Sequence, residues 1–203
     1  SSSTRRQTII GLIAILVVTL LAYTPVIVSG GYIWDDDSYL TANPVLVDDD
    51  ALVRIWTPGN TPQYYPMVFT SFWVEMQLWD LSPRPYHVVN VLLHALNALL
   101  LWRVLVRIRV PGAWIAAAIF ALHPVHVESV AWITERKNVL SGFFYLLSAL
   151  GYLRFASIMD GDDGRAKKEA VGWYGISILL FAAALLSKTC LLYTSDAADE
   201  WLR

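Results

Sequence analysis

"IIGLIAILVVTLLAYTPVIV", Ile9 to Val28, is a run of 20 residues without a charge. As a helix it would be about 30 Å long, the thickness of a bilayer's hydrocarbon core. Arg5 and Arg6 precede it and favour a cytoplasmic N-terminal end. The run is too long for the apolar region of a leader peptide, and no small-residue cleavage site follows. It therefore reads as a retained signal anchor, with a cleaved leader as the alternative. If the anchor spans, the solvent for much of the remaining chain is lipid.

The composition agrees. Of 203 residues, 56% are hydrophobic and 16% charged, and a net charge of -2 marks no nucleic-acid-binding surface. Four further apolar runs follow: His87 to Leu105, "PGAWIAAAIFALHPV" from Pro111, "NVLSGFFYLLSALGYLRF" from Asn138, and Val171 to Leu186. Their flanking cations alternate. Arg5, Arg6, Arg103, Arg107, Arg109, Arg154, Arg165, Lys167 and Lys168 fall on one side, and Arg54, Arg84, Arg136, Lys137 and Lys188 on the other. The excess makes the first side cytoplasmic, although the second includes the long first loop. The expected fold is all-α: a polytopic transmembrane bundle of about five helices with a long outer loop that carries interfacial helices.

The chain accordingly divides into residues 1–28, the N-terminus and first span; 29–85, the outer loop; 86–189, the remaining spans; and 190–203. The last stretch, "CLLYTSDAADEWLR", breaks off the pattern and reads as translated sequencing adapter, an artefact and not native protein, so the chain reads as a fragment. It holds Cys190, the one cysteine, so the sequence offers neither a disulfide framework nor a cysteine metal site.

Three features of the loop and second helix invite a chemical reading. "GGYIWDDDSYLTANP" sets Asp35, Asp36 and Asp37 side by side at the outer end of the first span. Adjacent carboxylates repel, and proximity to lipid makes them harder to keep ionised, so water, a metal or a cationic face must compensate. Asp48 to Asp50 read as a helix N-cap and first-turn acids. "PMVFTSFWVEMQLW" carries Phe69, Phe72, Trp73, Met76 and Trp79 at helical spacing, as either an interfacial helix or a packing helix. His87, Asn90, His94 and Asn97 share one face of the next helix, for interhelical hydrogen bonds or for substrate contact.

Four blocks carry a resemblance: "WDDDSYLTANP" (Trp34 to Pro44), "YYPMVFTSFWVEMQLW" (Tyr64 to Trp79), "YHVVNVLLHALNALLLW" (Tyr86 to Trp102) and "FALHPVHVESVAWITERKNVLSGFFYLLSALGYLRF" (Phe120 to Phe155). Together they resemble the bacterial relatives of the transmembrane-and-TPR O-mannosyltransferases, members of the GT-C class of integral membrane glycosyltransferases. The resemblance implies an outer catalytic loop after the first helix, tetratricopeptide repeats farther along, and residence in a bacterial inner membrane. It implies transfer of a sugar, by analogy mannose, from a polyprenyl-phosphate carrier to an acceptor hydroxyl on protein or glycan at the non-cytoplasmic face.

The resemblance also implies residue roles. Asp35 and Asp36 match the acidic catalytic pair, one of them a general base, while Asp37 is an additional acid outside it. Arg136 and Lys137 would meet the carrier phosphate, Arg136 bidentately; ordinary interfacial anchoring is the alternative for both. His123, His126 and Glu128 would orient acceptor or carrier, or else hold a divalent ion, although Pro124 interrupts their helical geometry. No metal ligand is assigned, and a divalent metal is the one candidate cofactor. Two rival classes remain, a transporter or flippase of lipid-linked sugar and an inactive membrane scaffold with TPR repeats. A transporter is expected to show internal repeats and broken helices, and the sequence displays neither.

Overall fold

The computed structural model describes residues 2–161 and 166–189; Arg165 and the adapter-like stretch from Cys190 to Arg203 lie outside the described residues. Helices α1 (Ser2–Ala22) and α2 (Thr24–Ser29) share the first apolar run. The run is not one straight helix. It breaks at Tyr23, because Pro25 lacks the N–H that would continue the ladder and instead sits in the first turn of α2. The outer loop contains a π-helical turn at Asp37–Thr41, a 3₁₀ turn at Pro44–Leu46, and helices α3 (Ala51–Ile55) and α4 (Pro66–Trp79). The bundle continues with α5 (Pro83–Arg107), α6 (Ala113–Leu122), α7 (Val127–Ala131), α8 (Arg136–Met159) and α9 (Ala166–Ser187).

Among the described residues, Pro83–Arg107, Ile133–Met159 and Lys167–Ser187 are long and apolar enough to cross a membrane. A fourth candidate is a broken one: Ala113–Leu122 and Pro124–Ala131 meet at a 50° bend, and Ile9–Ala22 is a shorter apolar helix. The third run is thus not the straight helix expected, and the expectation that broken helices are absent is corrected. Pro124 is the cause, since it donates nothing to the preceding turn and starts a new 3₁₀ turn at Pro124–His126.

Broken helices expose carbonyls, and α5 meets them. His94 Nε2 lies 3.1 Å from the Ala121 carbonyl at the end of α6. Asn90 Nδ2 donates to Trp132 O at 3.1 Å just after α7, and Asn97 Nδ2 donates to Val139 O at 2.8 Å in α8. Three of the four polar side chains on that face are therefore interhelical hydrogen-bond donors that satisfy backbone carbonyls inside the bundle. His87 packs instead against Gly30, where an added Cβ would come within 2.6 Å of its Nε2, so only glycine fits.

Helices α8 and α9 pair through small residues. Ser148 Oγ donates to Ser177 O at 2.8 Å, Ser177 Oγ donates to Ser148 O at 2.9 Å, and a Cβ at Gly151 would touch Ser177 at 3.5 Å. Small side chains let the two backbones approach, and each hydroxyl finds a carbonyl on its neighbour.

Residues 29–85 form a packed cap over the outer ends of α5 and α8. Its core joins Tyr39, Leu40, Val45, Leu46, Ile55, Val68, Phe69 and Phe72 to Tyr86 of α5 and to Ile133 and Leu140 at the head of α8. Helix α4 turns Val68, Phe69 and Phe72 inward, so packing governs that face; Val74 and Leu78 lie exposed on the other. The second acidic triplet differs from expectation. Asp50 occupies the N-cap position of α3 without a side-chain cap bond, and Asp48 pairs with Arg54, an ion that can reach it from one turn into the helix.

Candidate functional site

The site grows from the short join Trp132–Glu135 between α7 and α8, a 3₁₀ turn at Ile133–Glu135 whose first N–H groups are free to bind something else. Asp36 takes one of them. Its Oδ1 accepts from Thr134 N at 2.9 Å and from Thr134 Oγ1 at 2.6 Å, while its Oδ2 accepts from Ile33 N at 2.8 Å. The side chain is fully buried. These three hydrogen bonds tie the outer loop to the head of α8. A Thr134→Val protein is expected to lose about 1.5–3 kcal/mol, the worth of a hydrogen bond to a charged acceptor, measured as a lower unfolding midpoint in detergent.

The tie forces Trp34 into an unusual backbone. Its φ is +47°, a left-handed conformation that costs a bulky residue about 1–3 kcal/mol. The Ile33–Asp36 turn and an edge contact with Trp132, ring centroids 5.0 Å apart, hold it there. Asp35 follows immediately and is exposed, as is Asp37. Of the two candidate catalytic acids, then, Asp36 has both oxygens occupied by protein donors and Asp35 faces outward.

Arg136 begins α8 and is fully buried. Its Nε donates to Asn90 Oδ1 and one terminal nitrogen to Glu75 Oε1 and, at 3.3 Å, to Ser71 Oγ. The other terminal nitrogen donates to Glu75 Oε2 and to Tyr86 O, each at 3.1 Å. A guanidinium has five N–H groups, and these acceptors use them all. The face of Phe72 covers it at 5.2 Å. Arg136 is thus employed in fastening α4 to α5 and α8, and reaches neither lipid headgroups nor solvent in this arrangement. Burial pushes the Glu75 carboxyl above the ordinary carboxylate range, while the charge and hydrogen bonds of Arg136 pull it down.

Lys137 points the other way. Its Nζ lies 2.8 Å from Glu135 Oε1, 5.5 Å from the Tyr39 ring centre and 6.0 Å from that of Trp132. Burial pushes the Tyr39 hydroxyl well above its usual range, and after it the charges of Tyr65, Asp35 and Glu135 push it further. Lys137 thus lies against Tyr39, whose backbone N–H donates to Asp35 O at 3.1 Å.

The HPVHVE block is spread out by the break. His123 is exposed and its Nδ1 accepts from Val125 N at 3.2 Å, capping the 3₁₀ turn; Glu128 is exposed; His126 is half-buried, its ring 4.4 Å from Phe120 and 5.4 Å from His94. Among the described residues no three His, Cys, Asp or Glu side chains converge as metal ligands. Glu75 and Thr134 were not legible as parts of the site from sequence, whereas Asn90 was already marked by the polar face of α5. A lone acid within the otherwise apolar α4 was the one local signal for Glu75.

The comparisons with known proteins point the same way. The chain is 29% identical to mouse (Mus musculus) Protein O-mannosyl-transferase TMTC4 over 185 residues, covering 78% of this chain and 25% of that protein. It is 26% identical to Caenorhabditis elegans Protein O-mannosyl-transferase F38B6.6 over 165 residues, 74% of this chain and 24% of that one, and 32% identical to mouse Protein O-mannosyl-transferase TMTC2 over 141 residues, 64% and 17% respectively. The chain thus spans about a quarter or less of the length of these curated relatives. No protein-family model matches it, and no solved structure matches it. By sequence the chain is a homologue of proteins named as O-mannosyl-transferases, the transmembrane-and-TPR family that its four motif blocks resemble.

Proposed function

We propose that the protein is a multi-pass membrane glycosyltransferase of the GT-C type, which moves a sugar, by analogy mannose, from a polyprenyl-phosphate carrier to a protein hydroxyl at the non-cytoplasmic face of a bacterial inner membrane. The observation that supports this reading is the Asp36–Thr134 tie, which fastens the loop to the head of α8 and leaves Asp35 exposed, one turn from the Tyr39 ring that Lys137 lies against. The names of the homologues support sugar transfer to protein.

In the reaction so read, Asp35 accepts the proton of the acceptor hydroxyl as its oxygen attacks the sugar's anomeric carbon. The bond from that carbon to the carrier oxygen breaks, and its electron pair stays with the phosphate. The carrier phosphate thereby passes from a diester with one charge to a monoester with two, and Lys137, already partly shielded from water by Tyr39 and Trp132, stands where the new charge is met. Asp36 and Arg136 act as positioning residues, which hold the loop and the helix head. His123, His126 and Glu128, at the α6–α7 break, orient carrier or acceptor.

The bend at Pro124 is a broken helix of the kind that secondary transporters also use, and it favours the transporter reading as the alternative. Purified full-length protein in vesicles with a radiolabelled polyprenyl-phosphate sugar separates the two. Label that becomes covalently attached to an acceptor peptide supports the transferase; label that only changes leaflet contradicts it.

A further inference from the structure

Trp34 is held in a position that its own chemistry does not favour. Its φ of +47° suits glycine or asparagine, and its indole is 74% exposed, more than any other large apolar side chain among the described residues. Backbone strain and an indole in water are both unfavourable, and the chain accepts both at one residue. Strain of this kind persists only where the surroundings enforce it, and it clusters at active sites and ligand clamps. Here the enforcement is visible: the Ile33–Asp36 bond closes the turn, and Asp36 is fastened to Thr134.

Trp132 completes the feature. The two rings meet edge to face, at 83° to each other, with centroids 5.0 Å apart. Such a pairing covers at most one face of Trp34 and leaves the other open. Trp132 Nε1 has no hydrogen-bond acceptor among the described residues, so the pair also holds a donor not yet matched. The Trp132 ring centre lies 6.0 Å from Lys137 Nζ, and Trp34 directly precedes Asp35 in the chain. The aromatic pair thus connects the cation assigned to the carrier phosphate with the acid assigned to the acceptor hydroxyl. A group that is bonded to the one and attacked by the other lies between them, and in sugar transfer that group is the sugar.

We propose that the open face of Trp34 is the platform on which the transferred hexose ring rests. A hexose is polar around its rim, but its ring carries C–H groups that can lie on the electron-rich face of an indole. A phosphate gains nothing from that face, which repels negative charge. That the hexose is the one being transferred rests on the function proposed above; the stacking itself requires only a hexose at this place.

The test compares the binding of polyprenyl-phosphate mannose, the matching glucose conjugate and bare polyprenyl phosphate to the purified full-length protein. At least one conjugate is expected to bind more tightly than the bare carrier. Trp34→Asn should weaken that conjugate about three- to tenfold, the worth of one aromatic contact, and leave the bare carrier unchanged. Trp34→Phe should keep most of the difference. Because asparagine accepts a positive φ, the Asn variant should unfold at a midpoint no lower than the wild type, which a tryptophan serving only to pack would not allow. In transfer assays, its KM for the conjugate should rise more than its kcat falls. Equal weakening of all three probes would make Trp34 a membrane-interface anchor or a packing residue, and would overturn the platform. A conjugate preference that survives Trp34→Asn, or no preference in the wild type, would overturn it too. A sugar-dependent loss on Trp34→Asn in a protein that transfers no sugar would count against the transferase alone. Transfer by a protein whose sugar binding ignores Trp34 would count against the platform alone.

Discussion

Replacing Arg136 by methionine is expected to destabilise the protein by about 3–5 kcal/mol, the cost of leaving one member of a buried ion pair without its partner. Glu75 is the member left behind, 5% exposed, inside a shell made by Phe72, Tyr86 and α8. Its carboxyl would take up a proton or pull water inward, and either outcome loosens α4 from the bundle. A Glu75→Leu, Arg136→Met double variant should recover most of the loss, because an apolar pair of similar volume removes the desolvation penalty along with the attraction. Unfolding midpoints in detergent for the wild type, the single and the double variants give the answer. A single variant as stable as wild type would mean that the guanidinium is solvated, and would return it to the set of residues available for phosphate.

Asp35→Asn should lower the transfer rate about 10²–10⁴-fold, the usual contribution of a general base, with the unfolding midpoint unchanged because the side chain is exposed. Asp36→Asn should act through stability instead. The amide retains an oxygen that can accept from Thr134 but offers N–H donors where Ile33 N now donates, so stability falls and activity falls with it. Rates on a common peptide acceptor, corrected for folded protein, distinguish the two effects. A variant at Asp35 with full activity would remove it from the base role.

What could be read from the sequence was local. The apolar runs follow from composition and the shared face of His87, Asn90, His94 and Asn97 from a period of 3.6 residues, and the structure keeps that face turned into the bundle, while the break at Tyr23 divides the first run. The site was only half legible. Asp36 meets Thr134 across 98 residues of sequence and Glu75 meets Arg136 across 61, and no periodicity links positions so far apart. Membership of the acidic cluster was therefore visible, while the difference between its first two members was not. That difference arises from Thr134, whose N–H is free only because α7 ends before α8 begins.

The break at Pro124 had a sequence signal in the proline itself. It was outweighed by the length of the apolar run around it, and the compensation lies on another helix, where His94 satisfies the Ala121 carbonyl. Arg136 and Lys137 show the same limit. Adjacent in sequence, they point to opposite sides of the helix head, one into a closed ion pair and one toward Tyr39 and Trp132.

The central claim is that the outer loop is fastened so that Asp35 and Lys137 share one aqueous rim. Cysteines placed at both positions, with Cys190 replaced by serine, allow the claim to be tested in intact membranes by a short, membrane-impermeant bifunctional maleimide added from the non-cytoplasmic side. The two positions are expected to become bridged, so that cleavage in the intervening loop no longer separates the fragments, and a Thr134→Val change should lower the yield by releasing the Asp36 tie. Labelling of the two cysteines from opposite sides, or no bridging under conditions where each reacts singly, would contradict the account.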